Sequence, residues 1–145
     1  MKSRELNPKK SYLIRLAKDE DVIPTLTEFC KKERITCANF RAIGAVKNAK
    51  IGYYDLSIKK YGTIEYPHET EVASMIGNVA LVDGQPFIHT HAVLSDMQPG
   101  HENQTIGGHV FGATVAVTLE VNMDCFDEEV ARAMDDEIGL KLLDL

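Results

Sequence analysis

Glu71-Val72-Ala73-Ser74-Met75-Ile76-Gly77-Asn78-Val79-Ala80-Leu81-Val82-Asp83-Gly84-Gln85-Pro86-Phe87-Ile88-His89-Thr90-His91-Ala92-Val93-Leu94 consists of two apolar runs joined at Asp83-Gly84. An Asp-Gly dipeptide between such runs is a strong hairpin signal, because the tight turn needs residues that tolerate positive φ. Residues 71–81 and 85–94 are therefore expected as antiparallel neighbours. Side chains two apart on a strand share a face, so His89 and His91 can aim at one point.

The same signals recur outward from this hairpin. Residues 11–16 alternate and read as a first strand. Asp19-Glu20-Asp21 supplies acidic chemistry for the start of a helix, with Pro24 tolerable in its first turn. Val22, Leu26, Phe29 and Cys30 line one face of that helix, and Lys31, Lys32 and Arg34 suit its end. Strands are expected over 37–43, closed by Gly44, over 49–58 and over 61–66. The longest is expected over 110–123, with Val115, Val117, Leu119 and Val121 alternating with Thr114, Ala116, Thr118 and Glu120. Residues 95–105 read as a polar loop, 128–134 as a short helix and 139–143 as a last extended piece. The expected fold is α+β: one mainly antiparallel β domain over 1–145 with one main helix.

A third histidine follows a glycine pair, in Gly107-Gly108-His109-Val110. A His-x-His pair alone is more often a hydrogen-bonded couple than a metal site. Glycines that let a backbone come close shift the balance, and His109 on a neighbouring strand would complete a facial triad. Three neutral imidazoles and an open position make the ligand set of a catalytic-type zinc site, and imidazole also suits iron, nickel and copper.

The 145 residues suit one domain, and no apolar run reaches the length of a membrane span. The opening residues lack the apolar segment of a signal peptide, so a cytoplasmic location is expected. Cys30, Cys37 and Cys125 have no paired spacing and read as structural thiols. The net charge of −6 argues against general nucleic-acid binding. Yet residues 1–60 carry 14 Lys/Arg against 7 Asp/Glu, whereas residues 61–145 carry 2 against 15. Any DNA contact would have to use lysines such as Lys9, Lys10, Lys47, Lys50, Lys59 and Lys60, and would be weak and non-specific.

Phe40-Arg41-Ala42-Ile43-Gly44-Ala45, Ala49-Lys50-Ile51-Gly52-Tyr53-Tyr54-Asp55, the hairpin quoted above, Gly107-Gly108-His109-Val110 and Thr118-Leu119-Glu120-Val121 resemble, in that order, the PPC domain (plants and prokaryotes conserved). The resemblance covers nearly the whole chain. It implies a homotrimer built on antiparallel sheets, and a family label of predicted DNA-binding protein. Plant members couple the domain to AT-hook motifs, whose Arg-Gly-Arg-Pro segment is missing here. The resemblance also implies metal, because prokaryotic members look like metal-containing proteins. Their fold is similar to acetolactate decarboxylase, which combines His-x-His with Gly-Gly-His to hold zinc. The matching positions are His89, His91 and His109. A longer connection over 96–105 separates the pair from the third ligand and holds His101, which could compete as a ligand, cover the site or sit in solvent.

A metal so held can polarise a carbonyl or acidify water toward a pKa of about 7. Glu71 and Glu120 are candidates for an acid/base role or a fourth ligand, and Arg41 for binding a substrate carboxylate. A wet-face Glu and an ion-paired Arg are the plainer readings of the same residues. Two function classes follow. The leading one is a trimeric binding or regulatory module with a three-histidine site for zinc or another divalent transition metal. The other is a zinc-dependent lyase, decarboxylase-like, or a hydrolase, acting on a small-molecule ligand.

Overall fold

The structure, a computed structural model, describes residues 1–101 and 104–145. The order is β1 (Pro8–Leu16), α1 (Val22–Glu33), β2 (Ala38–Asp55), β3 (Lys60–Tyr66), β4 (Thr70–Val82), β5 (Gln85–Asp96), β6 (Gln104–Phe126), β7 (Arg132–Asp135) and β8 (Leu140–Leu143). The main sheet runs β1-β6-β5-β4-β2-β3, and every strand pairing in it is antiparallel. β6 also pairs with β2, which closes β2, β4, β5 and β6 into a ring. The Asp83-Gly84 turn sits where expected, with Val82 opposite Gln85 and both turn residues at positive φ.

Alternation sorts the side chains into an inner and an outer set. Leu16, Val79, Ile88, Leu94, Leu119 and Val121 point inward and meet Val22, Leu26 and Cys30 of α1. Pro24 lies in the first turn of α1, as it must. The acidic residues precede the helix rather than enter it: Asp21 accepts from the Thr114 hydroxyl, and Glu20 from the Ala17 amide.

Three expectations need correction. Residues 37–58 do not break at Gly44. β2 runs on, and the break is a register shift against β6 between Gly44 and Val46. Gly44 has φ +146, and a Cβ there would lie 2.1 Å from the Thr118 carbonyl oxygen. Opposite this irregularity the alternation of β6 slips, so Val115 and Ala116 are buried while Val117 is 67% exposed. Residues 128–134 form no helix. The Leu81 amide donates to the Val130 carbonyl at 2.8 Å, Val130 is buried near Cys37 and Ala80, and Arg132 starts β7. Once Val130 is paired with the end of β4, the segment is held extended. The expected loop over 95–105 is shorter, because β5 persists to Asp96 and β6 starts at Gln104. Glu102 and Asn103 of that loop lie outside the described residues.

Candidate metal centre

His89 and His91 point outward from β5, since Ile88, Thr90 and Ala92 take the core side. The Thr90 hydroxyl satisfies itself by donating to the Ile76 carbonyl at 2.8 Å. His109 stands directly across from His91 and pairs on its other side with Gly52. The glycine before it makes this crossing possible: a Cβ on Gly108 would lie 2.6 Å from the Gly52 carbonyl oxygen.

The three imidazoles form a nearly equilateral cluster. Ring centroids are 5.2 Å apart for His89–His91, 5.1 Å for His89–His109 and 5.4 Å for His91–His109. One ligand atom from each lies within 4.8 Å of the others. Tetrahedral zinc would draw such nitrogens to about 3.3 Å apart, a change within reach of ring rotations. Nδ1 of His109 is buried with no hydrogen-bond partner among the described residues, which is unusual for a buried polar atom unless something else binds it. The donor set and this orphaned nitrogen fit a divalent transition metal.

Electrostatics agree. Burial pushes the His89 pKa down to about 4, helped by Arg132, His109 and His91. Burial likewise lowers His109, helped by His91 and Arg132. Both are therefore neutral at pH 7, the state in which imidazole coordinates. Tyr61 and Phe111 pack against the His109 ring, with centroids at 5.3 and 4.7 Å.

Arg132, which the sequence reading did not single out, reaches into the cluster from β7. Its Nη2 donates to Asn78 Oδ1 at 2.8 Å and to His89 Nδ1 at 3.2 Å, and its Nη1 donates to the Lys141 carbonyl at 3.2 Å. A cavity of about 410 Å³ adjoins, lined by Tyr61, Phe87, Phe111, Leu140 and Leu142 as well as His89, His109 and Arg132. Topology explains it. β5 and β6 are paired from Asp96–Gln104 to His91–His109, and beyond that point β6 turns to β2 while β5 stays on β4.

The other candidate residues are not gathered here. Glu71 pairs with Ser95, five residues along β4 from the His91 partner Ile76, a path of roughly 17 Å. Glu120 is eleven residues along β6 from His109, roughly 35 Å of strand. Arg41 shares the outward row with Ile76 and His91, two strands away or roughly 10 Å, but its Nη1 lies 3.8 Å from Asp124. His101 belongs to a separate network: its Nδ1 is 2.8 Å from the buried Asp96, which also accepts from the Tyr66 hydroxyl at 2.6 Å.

The family model described as the Plants and Prokaryotes Conserved (PCC) domain matches residues 3–127. The chain belongs to that family. No curated protein matches this PPC-domain chain. Among solved structures, it is 36% identical to a metal-containing protein of Archaeoglobus fulgidus, with a TM-score of 0.90 over 98% of each chain. It is 32% identical to a plant- and prokaryote-conserved protein of Pyrococcus horikoshii, with a TM-score of 0.90 over 100% of this chain and 98% of that one. A protein of Ralstonia eutropha JMP134, named as a suggested DNA-binding protein, is 30% identical, with a TM-score of 0.81 over 92% of this chain and 90% of that one. Acetolactate decarboxylase from Bacillus subtilis matches with a TM-score of 0.49 and 14% identity, too low to support an inference about this chain.

Proposed function

We propose that this PPC-domain protein is a homotrimeric, cytoplasmic binding or regulatory module. In this reading His89, His91 and His109 hold zinc or another divalent transition metal. The observation that carries the metal reading is the meeting of three imidazoles from β5 and β6, with His109 Nδ1 buried and unpartnered among the described residues. The metal-containing relative at 36% identity supports it. When bound, such an ion supplies a Lewis acid with room for further ligands. Elemental analysis tests the assignment: His91→Ala should strip the metal and His101→Ala should leave it. Metal retained by His91→Ala would refute it.

The trimer is supported by an apolar outer surface. Leu13, Ile43, Ile76, Val93 and Val117 are all exposed on outward positions of the main sheet. Five such side chains on one sheet are more than a monomer's outer face needs, and a second and third copy would cover them.

DNA binding, suggested by the names of relatives, is proposed here only as weak and phosphate-driven. Lys9 and Lys50 pair with Asp127 and Glu65 of the acidic half, so the two halves meet in space there, while Lys10 and Lys47 pair with Glu33 and Asp19 inside the basic half itself. Lys59 donates to the Asp136 carbonyl.

A second reading, a metal-dependent lyase or hydrolase, is favoured by one observation: His89 and His109 line the cavity. Against it, the ligand cluster is made of histidines alone and includes no Asp or Glu among the described residues to act as a base. Turnover of a small keto acid or ester that stops with chelator and returns with metal would establish it. A broad screen without turnover by metal-loaded protein would remove it.

A further inference from the structure

Arg132 is a half-buried cation with no ion pair to a carboxylate among the described residues. Its side-chain partners are neutral: Asn78 Oδ1, His89 Nδ1 and the Lys141 carbonyl. Its Nε is buried and has no hydrogen-bond partner among the described residues. The guanidinium sits 5.6 Å from the Phe87 ring, on the wall of a cavity whose remaining surface is mostly hydrocarbon. Beside it stands the cluster of His89, His91 and His109, whose imidazoles offer no negative charge to balance it. A divalent ion on those rings would raise the local positive charge further.

The Arg132–His89 hydrogen bond sharpens the argument. Arginine can only donate, so His89 Nδ1 must be the accepting, unprotonated nitrogen of that ring. A neutral imidazole has one such nitrogen, and a metal needs it. If the metal takes Nδ1, the lone pair is occupied; if it takes Nε2, the proton moves to Nδ1. Either way the bond from Arg132 ends when metal binds. An N–H of the guanidinium is then released beside the cavity, with no carboxylate paired to it among the described residues.

We propose that the cavity takes a small carboxylate with an apolar, aromatic or branched body. Its carboxylate is held by Arg132 at the edge of the metal centre, and its hydrocarbon lies against Phe87, Phe111, Leu140 and Leu142. A planar guanidinium fork suits a carboxylate, and about 410 Å³ is within the usual range for a small-molecule site. This deepens the metal-site reading and rests on it.

The test is titration calorimetry of the full chain, loaded with zinc, using 3-phenylpropanoate as the probe. Acetate, 3-phenylpropan-1-ol and inorganic phosphate serve as comparators, and zinc is measured on every sample. The wild type should bind 3-phenylpropanoate at least about tenfold tighter than any comparator, since charge and hydrocarbon each contribute. Arg132→Gln should lose about tenfold or more while keeping its zinc. Where Arg132→Gln fails to fold by circular dichroism, Arg132→Lys makes the same comparison, keeping the charge and losing the fork.

The proposal is overturned if the zinc-loaded wild type gives no heat with 3-phenylpropanoate. It is equally overturned if an arginine variant with full zinc binds as the wild type does, or if acetate or phosphate binds as tightly. Failure of the metal reading looks different. Zinc would then be absent from the wild type or retained by His91→Ala, whatever the calorimetry gives. Binding by the zinc-free chain that still depends on Arg132 would keep the carboxylate site and remove the metal from it.

Discussion

Gly108→Ala should damage both the fold and the metal centre, by separable amounts. Gly108 has φ +154, where a Cβ is strained, and the added carbon would sit 2.6 Å from the Gly52 carbonyl oxygen and 3.2 Å from the Ile51 side chain. The backbone contact must open by about 0.8 Å to reach the 3.4 Å at which ordinary contact begins. The φ strain costs about 1–3 kcal/mol. Repacking β6 against β2 adds about 1–3 kcal/mol. A loss of about 2–6 kcal/mol of unfolding free energy is expected, measured by urea titration with chelator present so that metal does not contribute. The adjacent His109 moves with the strand, and metal sites tolerate only about 0.2 Å in ligand distance. Zinc affinity, measured against a chromophoric chelator, should fall about 10–100-fold. Gly112→Ala is the control: it lies four residues along the same strand, with nothing within 4 Å of its would-be Cβ. Wild-type stability and zinc affinity in Gly108→Ala, or equal losses in both variants, would refute the reasoning.

Light scattering should give three times the 16.1 kDa chain mass, and Ile76→Asp on the exposed sheet face should reduce it to the single-chain value; a wild-type monomer at micromolar concentration contradicts the trimer. Asp96 is held at a pKa of about 2, chiefly by the Tyr66 hydroxyl and then by the Gln98 amide. A lowered carboxylate pKa gives stability that is complete above the unfolded value of about 3.9 and lost as pH falls toward 2. Asp96→Asn should therefore melt lower than wild type at pH 7, and the gap should close over that acid window. A gap independent of pH would show that the ionised form is not what matters. In a mobility-shift experiment at physiological salt, the isolated chain should show no sequence-specific complex, and a nanomolar complex that discriminates between sequences would refute this.

The fold was legible where one local rule decided it. Asp83-Gly84 marked its turn, and Val22, Leu26 and Cys30 marked the buried face of α1. His89, His91 and His109 were legible for the same reason: spacing sets facing, and the glycine pair announced a close approach. What was hidden depended on partners distant in sequence. Val117 looked inward by strict alternation until the slip opposite Gly44 turned it out. Residues 128–134 looked helical because nothing local shows that Val130 will pair with Leu81. Arg132 was missed with them. Its one visible signal was that residues 61–145 hold only two Lys or Arg, of which it is one.

The first strand of this protein is completed by its last long one. β1, residues Pro8–Leu16, finds its hydrogen-bonding partner in the end of β6, with Leu16 opposite Leu119 and Pro8 opposite Phe126. A chain emerging from the ribosome thus holds β1 without its neighbour until some 110 further residues have been made. Closing so long a loop delays the reward for ordering the N-terminus, and topologies dominated by distant pairings fold slowly. A chain cut short before residue 119 would have no partner to offer this strand, so β1 and the last part of β6 stand or fall as one unit.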